Sequence, residues 1–155
     1  MTLHVVCDTS GSMSENAKPF IVRTCVLTIA QYLRLGYASA EVALHSWADS
    51  LEEAAGWTVA DEFPESFHRC GGRASAKALD RLGLSGDDRV LMLTDGLWTL
   101  QEGREISTWR QALPEGCLRT IAVGSDAHLL QLGLDVYPPD EVLAALSGWL
   151  AGAAR

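Results

Sequence analysis

The sequence predicts an α/β domain with a Rossmann-like, doubly wound, mostly parallel six-stranded sheet, one antiparallel edge strand and helices on both faces. Strand and helix patterns alternate from one end of the chain to the other, with no repeat or low-complexity segment between them. This alternation is typical of a parallel sheet with right-handed crossovers. Three buried strands are predicted, at 3–8, 88–94 and 118–124. The first is apolar at nearly all successive positions, as expected for a strand buried on both faces.

The elements follow one another with short connections. A long apolar helix is predicted at 15–35, because Pro19 falls in its first turn and Gly36 can end it. Strands at 41–47 and 51–57 are close enough to form an antiparallel hairpin. The remaining elements are predicted at 61–70 (a short helix broken at Pro64), 74–82 (helix), 105–113 (helix), 127–132 (helix), 135–137 (edge strand) and 140–151 (helix).

Length and charge narrow the class of protein. The 155 residues fit a single domain, 1–155, with a sizeable core. Twenty acidic side chains against 12 lysines and arginines give a net charge of −8, which disfavours nucleic acid and anionic membrane as partners. The first strand begins almost at the N-terminus and leaves no room for a signal peptide, so a cytoplasmic location is expected.

Acidic and hydroxyl side chains follow two of the buried strands. Asp8, Ser10 and Ser12 come directly after the strand at 3–8, and Asp95 follows the strand at 88–94. Ligands of open α/β sheets bind outside the carboxyl ends of the strands, so we expect these side chains to share one pocket. Their oxygens suit Mg²⁺ or Mn²⁺. A simpler alternative is that Asp8 and Ser10 cap the long helix.

Four segments, taken in this order along the chain, resemble those of a von Willebrand factor A domain. They are Asp8-x-Ser10-x-Ser12, the stretch His45-Ser46-Trp47-Ala48-Asp49, Gly71-Gly72 followed by Ala78-Leu79, and Thr94-Asp95-Gly96. The resemblance implies a stand-alone domain with a metal-ion-dependent adhesion site. In that site, Ser10 and Ser12 would ligate Mg²⁺ or Mn²⁺ directly, and Asp8 and Asp95 would balance the charge of the ion.

The resemblance also implies a partner. A site of this kind binds an acidic residue of another protein, which completes the coordination of the ion. Small intracellular relatives often serve as adaptors for ATPase-containing assemblies, including stress-response and conflict or defence systems. The sequence is therefore expected to be a protein–protein interaction module.

One position departs from the family pattern. Arg73 stands where the family usually has a threonine, and a guanidinium group cannot ligate a cation. Arg73 therefore either points outward or replaces the ion by pairing with Asp8 or Asp95, which would make the domain a metal-independent scaffold. Ser75 and Thr99 are the nearby candidates for a substitute hydroxyl ligand.

Three residues are candidates for contact with the partner. Arg73 and Ser75 lie in the loop at 71–75, and Trp98 comes three residues after Asp95. An exposed aromatic side chain beside a binding site often anchors a partner, whereas a buried one packs beneath its own loop.

Catalysis has little support in the sequence. The Gly-x-Ser-x-Gly elbow, the P-loop and the Gly-x-Gly-x-x-Gly fingerprint are all missing. A metal-dependent hydrolase remains an alternative, although no residue can be named as its base or nucleophile. We therefore expect that the protein is not an enzyme.

Overall fold

The structure, a computed structural model, describes residues 1–152 and contains a sheet of six strands, β1–β6. Their bounds are Thr2–Asp8 (β1), Glu41–Trp47 (β2), Leu51–Glu53 (β3), Arg89–Thr94 (β4), Leu118–Ala122 (β5) and Val136–Tyr137 (β6). The strands lie in the order β3-β2-β1-β4-β5-β6. All neighbouring pairs are parallel except β2 and β3. The predicted sheet, with its single antiparallel edge, is confirmed.

Helices cover both faces of the sheet. Their bounds are Lys18–Arg34 (α1), Ala76–Leu79 (α2), Leu100–Gln111 (α3), Leu129–Leu132 (α4), Val142–Leu146 (α5) and Trp149–Gly152 (α6). One core cluster packs the sheet against α1 and α5, and a second packs its other face against α2, α3 and α4. No helix within residues 1–152 is both long and apolar enough to cross a bilayer.

The central strands contribute side chains to both core clusters. Leu3, Val5 and Cys7 of β1 belong to the cluster on the α1 side, whereas Val6 belongs to the other cluster. Successive side chains of a strand point to opposite faces. A strand covered on both sides therefore needs an unbroken apolar run, which is why the sequence pattern located β1 and β4.

The long helix begins three residues later than predicted. Asn16 and Ala17 have left-handed backbone angles, with φ of 53° and 58°, and the helix starts at Lys18. The Asp8 and Ser10 side chains do not cap this helix, since its N-cap is Ala17, which has no side-chain cap hydrogen bond. Lys18 is consequently the first residue of α1, directly after the loop that carries the serines.

Other predicted boundaries also shift. The helix at 105–113 starts at Leu100, because Thr99 and Glu102 form a capping box. The strand at 51–57 ends at Glu53, and the helix at 140–151 is divided before Gly148, whose φ is 76°. In the segment 61–70, where a helix broken at Pro64 was predicted, a 3-10 helix, Glu65–His68, forms only after the proline. Residues 153–155 of the predicted domain lie outside the described part of the chain.

Candidate metal and partner-binding site

The two strand-ending acids meet at the point where the sheet reverses its order. The chain leaves β1 toward β2 on one side and leaves β4 toward β5 on the other, which opens a crevice outside the carboxyl ends of these strands. Asp8 and Asp95 are both buried there, with 1% and 0% of their surface exposed. The hydroxyl of Thr94, at the end of β4, donates a 2.6 Å hydrogen bond to Asp8 Oδ2. The structure thus brings the two motifs into one site.

The carboxylate of Asp8 is held by donors from both motifs. Its Oδ1 accepts hydrogen bonds from the Ser10 backbone N–H at 2.8 Å and from Ser10 Oγ at 2.6 Å. Its Oδ2 accepts from Thr94 Oγ1 and, at 3.4 Å, from Trp98 Nε1. Burial raises the pKa of Asp8, although the hydrogen bonds from Ser10 and Thr94 act in the opposite direction. Asp8 therefore fixes the position of the Ser10 hydroxyl while its own charge remains poorly solvated.

Two serine hydroxyls remain available to a cation. Ser10 Oγ donates its proton to Asp8, which leaves its lone pairs free. Ser12 Oγ is buried and has no hydrogen-bond partner within residues 1–152. A buried hydroxyl without a partner is costly, and a hard cation is the group that both oxygens can bind. The donor set therefore fits a magnesium or manganese ion.

The serines lie in a loop that other loops hold in place. The backbone N–H of Gly71 donates to the carbonyl of Thr9 at 2.8 Å, and that of Gly11 donates to the carbonyl of Gly72 at 3.1 Å. Gly72 has a φ of +79°, and a Cβ there would overlap the carboxylate of Asp49. A glycine is required at this position, so the Gly-Gly pair predicted as a site loop serves to pack it against the first loop.

A buried lysine supplies the positive charge at Asp95. Lys18 is 0% exposed, and its Nζ lies 3.0 Å from Asp95 Oδ2 and 3.0 Å from Asp126. The same ammonium donates to the backbone carbonyl of Ser12 at 3.3 Å. The other oxygen of Asp95 accepts from the backbone N–H of Leu97 at 3.0 Å. Both carboxylate oxygens of Asp95 are thus engaged by groups of the protein itself.

The pKa of Lys18 lies above its ordinary value. Burial alone would lower this pKa, but the hydrogen bonds and charges of Asp95 and Asp126 outweigh it. Lys18 therefore carries a permanent positive charge in the site. Neither Lys18 nor Asp126 was predicted from the sequence as a residue of the site. The local signal was weak: Lys18 is a cation in the first turn of a helix, where it opposes the helix dipole, but this does not indicate which acid pairs with it.

Arg73, which stands where a threonine is expected, and the two candidate hydroxyls, Ser75 and Thr99, have other contacts in the structure. Arg73 is exposed, and its backbone N–H donates to Asp49 at 3.3 Å. Its guanidinium forms no salt bridge within residues 1–152, so Lys18 is the cation that pairs with Asp95. Ser75 Oγ caps α2, and Thr99 Oγ1 caps α3. Both hydroxyls are thus engaged as helix caps.

Trp98 lies beneath the site. Its side chain is 8% exposed and packs edge to face against Trp47, with ring centroids 5.9 Å apart. Together with the hydrogen bond to Asp8, this packing makes Trp98 a support for the carboxylate. It leaves little aromatic surface for a partner to contact.

Exposed leucines lie on the same edge of the sheet. Leu97 and Leu100 flank Trp98 and are 40% and 68% exposed, and Leu129 and Leu130 on α4 are 59% and 92% exposed. The two segments are joined, because the N–H of His128 donates to the carbonyl of Asp95 at 2.8 Å. An apolar groove of about 460 Å³ runs from Gly124 to Pro138 and Pro139 beside this surface. Exposed apolar area of this kind marks interaction sites.

Nothing in the site resembles a zinc centre. Within residues 1–152, no group of three or more histidine, cysteine, aspartate and glutamate side chains has a metal-binding arrangement. Any ion would therefore depend on the serine hydroxyls and on water. The chemistry open to such a site is the binding of a hard cation with a free coordination position.

These features define a doubly wound α/β domain with an acid-and-hydroxyl site at the switch point of its sheet. Solved structures show that it has the fold of a von Willebrand factor A domain. Manganese-loaded TRAP protein from Plasmodium vivax aligns over 97% of this chain and 73% of its own, with 14% identity and a TM-score of 0.65. A von Willebrand factor type A protein from Catenulispora acidiphila aligns over 99% of this chain and 42% of its own, with 16% identity and a TM-score of 0.55.

A third similar structure, like that of TRAP, holds a metal ion. It is proximal thread matrix protein 1 from the mussel byssus with a zinc-occupied MIDAS motif, which aligns over 98% of this chain at 14% identity, with a TM-score of 0.59. The chain spans 45% of that protein's length. No protein-family model and no curated protein matches the sequence.

Proposed function

We propose that this domain is a protein–protein interaction module that binds its partner at the carboxyl edge of the sheet, through a divalent ion. The observation that carries the proposal is the buried Ser12 hydroxyl, which has no hydrogen-bond partner within the described residues and lies in the same loop as the Ser10 hydroxyl braced by Asp8. Similar folds in the Plasmodium and mussel proteins hold manganese and zinc, which supports an ion here.

Different residues of the chain would play different roles in holding this ion. Ser10 and Ser12 supply neutral oxygen ligands, and Asp8 holds Ser10 and contributes negative charge through its hydrogen bonds. Mg²⁺ and Mn²⁺ are the ions that such hard oxygen donors suit. A bound ion supplies a positive centre that a carboxylate of the partner can complete. Neutral ligands favour this, because they leave the charge of the ion largely uncompensated.

The surface around the ion indicates the chemistry of the partner. The exposed leucines at 97, 100, 129 and 130 favour a segment in which an acidic residue is flanked by apolar side chains. We propose that the domain acts in the cytoplasm as an adaptor of an ATPase-containing assembly, in a stress-response or in a conflict or defence system. This setting is the one implied by the small intracellular relatives that the sequence motifs resemble.

We propose binding rather than catalysis. The hydroxyl of Ser10 is committed to Asp8, and no histidine hydrogen-bonds to either serine within residues 1–152. A nucleophile needs a base within hydrogen-bond reach. The arrangement supports a cation ligand better than a nucleophile.

Capture of the partner under controlled ion conditions tests this function. The protein is cross-linked in lysate of its source cells with 2 mM Mg²⁺ or with EDTA, and the captured proteins are identified by mass spectrometry. We expect one partner that is captured with Mg²⁺ and lost both with EDTA and in the Ser12→Ala variant. The matched control, Ser14→Ala, alters a serine of the same turn whose hydroxyl already bonds to Gly11 and should keep the partner. A partner that Ser12→Ala still captures in EDTA would contradict the proposal.

A further inference from the structure

Three loops of the site converge on one ammonium group. Lys18 Nζ contacts the carbonyl of Ser12 in the first loop, Asp95 in the loop after β4, and Asp126 in the loop after β5. All three contacts are between 3.0 and 3.3 Å. The loops that would surround a metal ion are therefore joined by a cation that belongs to the chain.

The backbone is shaped to admit this side chain. Gly124 has a φ of +93°, and a Cβ at this position would lie 2.7 Å from Lys18 Cε and 2.8 Å from Asp126 Oδ1. Only glycine gives this combination of backbone angle and space. The glycine in the loop after β5 therefore leaves the space that the Lys18 side chain occupies.

The ammonium changes what the site can offer a metal ion. Asp95 is 0% exposed, and its two oxygens already accept from Lys18 and from the backbone of Leu97. Asp126 is 37% exposed, so solvent screens its charge more than that of Asp95. A divalent ion beside Ser12 would meet a fixed positive charge and an acid that is already neutralised.

We propose that Lys18 sets the divalent-ion affinity of this site and holds it low, by neutralising Asp95 and joining the three loops before any ion binds. The inference rests on the proposed ion site and names the residue that tunes it. It also makes the loops independent of the metal, because the internal cation keeps them together. An ion would then add to a formed surface instead of assembling it.

Manganese titration of matched variants tests this inference. Mn²⁺ binding is measured at pH 7.5 by electron paramagnetic resonance of the free ion, for the full chain and for Lys18→Met. The other lysine of the sequence, Lys77, is exposed on α2, and Lys77→Met is the matched control. We expect a dissociation constant near or above about 1 mM for both the unaltered protein and the Lys77→Met control. Lys18→Met should bind Mn²⁺ about tenfold tighter or more, because the repulsion is gone and Asp95 is released.

The outcomes separate the inference from the proposed ion site. Equal affinity in the unaltered protein and in Lys18→Met would overturn the role of Lys18 while leaving an ion site in place. Binding by neither protein up to about 10 mM Mn²⁺ would overturn the ion site and the inference together. A dissociation constant below about 10 μM for the unaltered protein would also overturn the inference.

A variant that fails to fold still decides the question. Lys18→Gln keeps a hydrogen-bond donor for Asp95 without the charge, and its Mn²⁺ affinity should also exceed that of the unaltered protein. If both variants unfold in EDTA, recovery of the folded circular dichroism spectrum with Mn²⁺ supports the inference. Failure of about 10 mM Mn²⁺ to restore it counts against the inference.

Discussion

Removal of the hydroxyl of Ser10 should lower the stability of the protein, whereas removal of the hydroxyl of Ser12 should not. Ser12 Oγ is buried without a partner within the described residues, so Ser12→Ala deletes a desolvated polar group and breaks no hydrogen bond. Its free energy of unfolding should be unchanged or rise by up to about 1 kcal/mol. Ser10 Oγ donates at 2.6 Å to the buried Asp8, so Ser10→Ala should lower the free energy of unfolding by about 1.5 to 3 kcal/mol.

Urea denaturation in EDTA at pH 7.5 measures this difference. The two variants should differ by about 1.5 to 4 kcal/mol in the free energy of unfolding, although both should lose affinity for Mn²⁺. Residues kept for binding at a cost in stability show this combination. A loss of more than about 1 kcal/mol in Ser12→Ala would refute the reasoning, because Ser12 would then be bonded in the ion-free protein.

Three further predictions concern the backbone, acid stability and the pH dependence of ion binding. Gly124→Ala should destabilise the protein by about 2 kcal/mol or more, because the added Cβ meets Lys18. Gly36→Ala is the control: Gly36 has a φ of +81° but no atom near its Cβ position, so this variant should lose only about 1 kcal/mol. Thermal denaturation compares the two, and equal losses would contradict the close contact at Gly124. Burial lowers the pKa of His45 to about 4, below its ordinary value of about 6.5; the neutral ring therefore stabilises the fold above pH 6.5, and this contribution falls by about 2 kcal/mol between pH 7 and pH 5. Urea denaturation at pH 7 and pH 5 measures this loss. A folded His45→Phe variant should lose much less stability between the two pH values, and an equal loss in this variant would contradict the role of His45. Because the pKa of Asp8 is raised, its protonation should weaken Mn²⁺ binding as the pH is lowered. Calorimetric titrations that show tighter binding at lower pH would exclude this role.

The sheet could be predicted because burial on both faces imposes a recognisable pattern. β1 and β4 are mostly apolar along their length; β1 ends in Asp8, and Asp95 directly follows β4. The meeting of Asp8 and Asp95 then follows from the rule that carboxyl ends of parallel strands share one edge of the sheet. The site was thus predictable wherever it depended on strand topology.

The boundaries of the helices were less predictable, for two different reasons. The start of α3 carries a signal in the sequence, because Thr99 and Glu102 have the spacing of a capping box. The start of α1 has a weaker signal, Pro19 in the first turn, which does not fix the exact residue. Asn16 and Ala17 adopt left-handed angles because the site loop must turn into the helix, and only tertiary structure imposes this.

The cation of the site could not be assigned from local sequence. Arg73 stands where a threonine is expected and was a candidate for this cation, yet its side chain is exposed. Lys18 reaches Asp95 across 77 residues of sequence, and no periodicity records such a contact. A long side chain can point along or away from its helix, and the packing of three loops decides which.

A crystal structure with Mn²⁺, phased on the anomalous signal of that ion, tests the central claim most directly. The account expects a single anomalous peak within about 2.1 Å of both Ser10 Oγ and Ser12 Oγ, with the Lys18 ammonium still bound to Asp95. A peak held instead by Asp95 and Asp126 with Lys18 displaced, or no peak at the serines in saturating Mn²⁺, would contradict it.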